Sequence, residues 1–199
     1  MGAPIVVVGV DLAGSPRRAT GICTLRAMQV ETADVFSDRE ILDWIRDAGP
    51  RVVGIDAPLT LPPGRRSLGQ RNAEHLRACD RELIRRGIRF FPVTLGPMRM
   101  LTRRGMRLAE RLRRLGYAAL EVFPGGAQDV WGLPRKQHGL EALRRGLRRL
   151  GVRGVRNAMS NDELDAVSAA LVCRQFVQGH AEILGDRNLA PFVMPRGKP

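Results

Sequence analysis

The sequence predicts a mixed α/β fold, a five-stranded sheet flanked by helices with a helical insertion between the fourth and fifth strands. Three observations carry this. Two short β-branched runs, IVVVGV at 5–10 and RVVGI at 51–55, bracket an amphipathic stretch, the layout of parallel strands joined by a crossover helix. Between the first run and that helix lie two further extended stretches, 19–25 and 28–36, separated by few residues as in an antiparallel meander. The chain has 199 residues, 44% of them hydrophobic, which suffices for one well-buried α/β unit and leaves no room for two. The expected organisation is one domain over residues 1–190 with a tail at 191–199.

The elements follow in order. Residues 37–48 carry Ile41, Leu42 and Ile45 at helical spacing, Ser37 and Glu40 match the capping-box pattern, and Gly49-Pro50 ends the helix. The segment LPPGRRSLGQ at 61–70 is a loop by its Pro and Gly content. Residues 68–86 are helix formers closed by Gly87, and 90–97 is irregular. Residues 102–115 predict an amphipathic helix with Leu108, Leu112 and Leu115 on one face and Arg103, Arg107, Arg111 and Arg114 on another. A fifth strand at 118–123 ends in Pro124-Gly-Gly. Residues 140–150 repeat the amphipathic theme, with Leu140, Leu143, Leu147 and Leu150 inward and Arg144, Arg145, Arg148 and Arg149 outward. Ser160 and Glu163 form a second capping box that opens a last helix running to 178.

The charge balance is 33 Lys+Arg against 20 Asp+Glu, a net charge of +13, which exceeds what solubility needs and points to a polyanionic partner, nucleic acid first. Each arginine face has one nearby acid, Glu110 or Glu141, so both are assigned to phosphate contact. Aromatic residues make up 5% of the chain, which favours contacts to the sugar-phosphate backbone over base stacking. Trp131, in a Gly-rich stretch, is a base-stacking candidate or a loop anchor. Cys23, Cys79 and Cys173 are far apart with no ligand spacing, which argues against a disulfide framework or a zinc site and for a reducing, cytoplasmic setting. The first apolar run is too short for a signal peptide or a membrane span.

The chain writes nearly the same word twice, GVD at 9–11 and GID at 54–56, each closing an apolar strand. Residues two apart in a strand share a face, so Gly9 lies beneath Asp11 and Gly54 beneath Asp56, leaving room for a helix or an ion. Two neighbouring carboxylates resist joint ionisation unless a cation sits between them, and oxygen donors without His or Cys favour Mg²⁺ or Mn²⁺. The last helix adds Asp162 and Asp165, three apart and therefore on one face. Asp162 sits in the first turn, where the helix dipole already favours a carboxylate. Asp165 opens the apolar, small-residue part of that helix and needs a partner. Glu121 lies near the end of the fifth strand, at the sheet edge where open α/β sheets bind ligands.

The words GVDLAG, GIDAPLTLP, RACDRELIRRGIRFFP, LTRRG, EVFPGGAQDVWGLPRKQ and SNDELDAVSAAL, in this order over most of the chain, resemble the family called domain of unknown function 429, described as predicted nucleases of ribonuclease H-like fold. The resemblance implies a mixed sheet of order 3-2-1-4-5. It also implies two divalent ions, Mg²⁺ or Mn²⁺, held by Asp11, Asp56, Asp165 and Asp162, as in Holliday-junction resolvases and ribonuclease H. Glu121 matches the EVFPG block and is an auxiliary acid. Lys136, after the last strand, is a candidate contact to the scissile phosphate. Such a site hydrolyses phosphodiesters of DNA or RNA by in-line attack of water, with the ions ~4 Å apart. Two alternatives stand beside this nuclease reading. One is a nucleic-acid-binding protein without turnover. The other is an ATP-dependent phosphotransferase of actin-like or sugar-kinase type, against which Asp11-Leu-Ala-Gly14 lacks the third-position glycine of that phosphate turn.

Overall fold

The computed structural model describes residues 4–70, 73–135, 139–186 and 190–199. The meander forms as its sequence dictates. β1 (Val6–Asp11) pairs antiparallel with β2 (Thr20–Arg26), and β2 pairs antiparallel with β3 (Gln29–Val35). The capping box of Ser37 and Glu40 starts α1 (Asp38–Ala48), and Gly49 ends it in the left-handed conformation at φ 56°. The chain then returns as β4 (Val53–Ile55), parallel to β1 with Val10 beside Ile55.

The insertion holds α2 (Ala78–Arg85) and α3 (Gly96–Arg114), and leads to β5 (Ala119–Val122), parallel to β4. α2 is shorter than the helix expected over 68–86. Arg65 explains part of this, because its guanidinium donates to the carbonyls of Gln70 and Glu74 and holds that stretch as a loop. α3 starts earlier than residue 102, since Pro97 falls in its first turn, where the missing N–H is no loss. The same logic applies to α4 (Pro124–Trp131), which the sequence reading missed: Pro124 opens a helix there and does not merely end the strand. α5 (Leu140–Arg149) and α6 (Asn161–Val177) follow the expected pattern.

Among the described residues the sheet has seven strands and not five. β6 (Ala181–Leu184) and β7 (Phe192–Pro195) extend it to the order β3-β2-β1-β4-β5-β7-β6. The segment expected as a tail at 191–199 thus contains a buried strand, parallel to β5 and antiparallel to β6. Both strands are four residues long, and their burial comes from tertiary packing: Leu184, Phe192 and Met194 cluster with Cys79 and Leu83 of α2.

Two apolar layers cover the sheet. Leu143 and Leu147 of α5, Trp131 of α4 and the length of α6 pack on one face, with Val7, Leu120 and Val122. Ile41 and Ile45 of α1 and Leu108 and Leu112 of α3 pack on the other, with Val8, Val10 and Ile55. α6 approaches closely because glycines lie beneath it. A Cβ on Gly9 would come within 2.2 Å of the Ala166 carbonyl oxygen, and one on Gly54 within 2.4 Å of Cys173 Sγ. All three cysteines are free and buried; burial pushes the thiol of Cys79 up to about 12. Among the described residues no helix is long and apolar enough to cross a membrane.

Candidate functional site

Asp11 ends β1, and Asp56 directly follows β4. The Asp56 N–H donates to the Val10 carbonyl at 2.8 Å, so the two carboxylates leave adjacent parallel strands at neighbouring positions. Alternation puts Asp11 on the face of Gly9 and Asp56 on that of Gly54, the face α6 covers. Gly21, the cross-strand partner of Asp11, lies under the first turn of α6: a Cβ there would meet the Asp162 carbonyl oxygen at 2.0 Å. Three glycines thus let α6 lie close over β1, β2 and β4.

Asp165 is 6% exposed within α6. It accepts a hydrogen bond at 2.8 Å from Nε2 of Gln128, which also reaches Ser168 Oγ at 3.1 Å. Asp56, Asp165 and Gln128 line one cavity of about 970 Å³, roofed by the insertion. Arg135 lines it as well, with its guanidinium paired to Asp129 and 5.5 Å from the Phe123 ring centroid. The hydrogen bond to Asp129, opposed by burial and helped by the charges of Asp129 and Asp165, holds Arg135 above its ordinary pKa.

The other acids are used differently. Glu121 is in register with Ile55, hence on the face opposite that of Asp56 by strand alternation. Its Oε2 accepts from the Leu59 N–H and from Arg77 Nη1, both at 2.8 Å, and Arg77 in turn binds Asp80 at 2.8 Å. Burial pushes the Glu121 carboxyl up, opposed by Arg77. For Arg77, Glu121 and Asp80 overcome burial and hold the guanidinium above its usual range. Glu121 thus closes a buried ionic triad that fastens the insertion to β5, a different role from the auxiliary acid the sequence suggested. Asp162 lies apart from the cavity lining, close enough to Asp34 that its charge contributes, after burial and Glu163, to raising the Asp34 carboxyl. Among the described residues no group of three or more His, Cys, Asp or Glu side chains stands close enough to hold an ion. Lys136 lies outside the described residues.

The two arginine helices part company. α3 and α5 pack on opposite faces of the sheet. On α5, Arg144 donates to the Met159 carbonyl at 2.7 Å and Arg148 to that of Val155 at 2.9 Å, so both tie down the 152–159 loop, while Arg145 and Arg149 are exposed. On α3, Arg111 and Arg114 pair with Asp38 and Glu110, and Arg103 and Arg107 are exposed. Trp131 is fully buried, its Nε1 donating to the Gly197 carbonyl at 2.9 Å, which removes it from base stacking.

Sequence reasoning missed Gln128, Arg77, Asp80 and Arg104. Arg104 is buried, donating to the carbonyls of Ala13 and Phe36 and pairing with Asp38, so it fixes the loop that follows Asp11. The available signal was its place at i−4 from the inward Leu108, which sets it on the buried face of α3. Gln128 and Arg77 lie within the blocks that carried the family resemblance, the signal that could have found them.

An antiparallel meander, three parallel strands beyond it and a helix laid across Gly9, Gly21 and Gly54 define the mixed-sheet fold. The chain belongs to the family described as Protein of unknown function (DUF429), whose model matches residues 9–189. Among solved structures, that of RuvC from Thermus thermophilus is similar in fold, with a TM-score of 0.51 at 13% identity over 88% of this chain and 97% of that one. No curated protein sequence matches.

Proposed function

We propose that this protein is a divalent-metal-dependent nuclease, hydrolysing phosphodiester bonds in DNA or RNA, with Asp11, Asp56 and Asp165 as metal ligands and Asp162 as an auxiliary. The observation that carries the reading is the placement of Asp56 and Asp165 in the wall of one cavity, with Asp11 on the adjoining strand end. The donors are all carboxylate oxygens, the chemistry that suits Mg²⁺ or Mn²⁺. Among the described residues these acids do not form a group of three placed to hold an ion. Two such ions, when bound, would supply an activated water and neutralise the leaving 3′ oxygen. The chain's own part is to aim the ligands: Gln128 fixes one oxygen of Asp165, and Arg104 fixes the loop after Asp11. Exposed Arg103, Arg107, Arg145 and Arg149 supply the charge for phosphate contact. Three buried free thiols suit a cytoplasmic setting.

Calorimetric titration of Mn²⁺ into wild type and Asp11→Asn, with cleavage of linear and branched DNA and RNA, tests this. Metal binding and cleavage by wild type only is the expected result; full activity in Asp11→Asn rejects the assignment. One observation favours a second reading, nucleic-acid binding without turnover: no pre-closed acidic group exists among the described residues. Binding of nucleic acid with no metal uptake would select it.

A further inference from the structure

Aromatic residues are scarce in this chain, but they are not scattered. Of its six phenylalanines, four (Phe90, Phe91, Phe123 and Phe192) line the cavity that holds Asp56 and Asp165. Phe91 is 71% exposed and Ile84, beside it on the same wall, 54% exposed, so the insertion presents apolar surface that the chain itself does not cover. Beneath these aromatic residues, buried Gln128 donates its amide N–H groups to Asp165 and Ser168. The occupant is therefore flat or apolar on the side it turns to this wall.

We propose that the cavity receives the base of an unpaired nucleotide, so that the substrate of this site is single-stranded or locally unpaired nucleic acid. This rests on the nuclease reading for what happens at the carboxylates, but not for the binding itself. An aromatic wall stacks any base through its π-face without sequence preference. A duplex keeps its bases paired and stacked, and none can enter the cavity until it is unpaired and turned out. A volume of about 970 Å³ admits a ligand of nucleotide size. Charge complements the assignment: Arg89, exposed and in the cavity lining next to Phe90 and Phe91, stands where a phosphate flanking the stacked base would lie.

The test uses the full chain in EDTA, so that no cleavage intervenes, and an oligonucleotide bearing 2-aminopurine, offered as a single strand, as a duplex and as the free mononucleotide. The single strand should bind at least about tenfold more tightly than the duplex, with a change in the probe's emission. Phe91→Ala removes a wall. Gly125→Leu takes up space in the cavity it lines, where a Cβ lies 3.4 Å from Phe123 and Arg135. Each should weaken single-strand binding about tenfold or more and leave the duplex affinity and the circular dichroism spectrum unchanged. Equal affinity for duplex and single strand, or unaltered binding by both variants, overturns the proposal. Mononucleotide binding as tight as that of the strand overturns it too, in favour of a free-nucleotide site. Mn²⁺-dependent duplex cleavage that survives in both variants would keep the nuclease reading while rejecting this one; strand binding without any cleavage would do the reverse.

Discussion

Glu121 and Asp165 are buried to nearly the same degree, 3% and 6% exposed, and both line the same cavity, yet the molecule treats them differently. Glu121 is clamped by the guanidinium of Arg77, which also holds Asp80, so its charge is neutralised inside the fold. Asp165 accepts from the amide of Gln128 on one oxygen, and its charge also acts on Arg135. Position at a strand or helix end therefore does not separate a structural acid from a candidate ligand. The face of the sheet does: Glu121 lies on the face opposite that of Asp56, whereas α6, which carries Asp165, covers the face of Asp56.

Several changes would sharpen or break this contrast. The largest effect is expected at the packing that brings α6 to the aspartates. Gly9→Ala places a Cβ against backbone atoms of Ala166 and Ala170, at 2.2 and 2.4 Å, which cannot yield. Urea melts should show a loss of about 3 kcal/mol or more, at the upper end for overpacking. Arg77→Met comes next, because it strands Glu121 and Asp80 as buried acids; about 3–5 kcal/mol of stability should go. A stability near that of wild type would show that the triad is not what secures the insertion.

The arginine helices give a smaller and cleaner pair. Arg103→Ala should reduce the salt dependence of nucleic-acid binding by roughly one unit of slope at constant melting temperature. Arg144→Ala should do the opposite, losing about 1 kcal/mol with the hydrogen bond to the Met159 carbonyl and leaving the slope alone. Smallest is Glu182, whose carboxyl is held below its ordinary value by Arg86 across α2 and β6. A depressed folded pKa stabilises above the unfolded value and is lost as pH falls through the folded one. The difference between wild type and Glu182→Gln, about 0.5 kcal/mol for so exposed a pair, should be present at pH 7 and vanish in acid below pH 4.5.

Legibility followed the range of the forces involved. The meander, the crossover helix and both capping boxes depend on neighbours within a few residues, and Ser37 with Glu40 or Ser160 with Glu163 announces them. The GVD and GID words also carried their glycine packing, because a missing side chain beneath a strand-end acid has few uses. β6 and β7 were not legible, since four-residue strands owe their existence to Leu83 and Cys79, about a hundred residues away. Pro124 and Pro97 misled because proline ends one element and begins another by the same loss of an N–H. The arginine patterns of α3 and α5 are alike in sequence, and only the carbonyls of Val155 and Met159 distinguish them.

The most direct measurement is calorimetric titration of Mn²⁺ into wild type, Asp165→Asn and Glu121→Gln. The proposed site predicts binding by wild type and by Glu121→Gln, and its loss in Asp165→Asn. Binding that survives in Asp165→Asn, or that is lost in a folded Glu121→Gln alone, would contradict the assignment of the two acids.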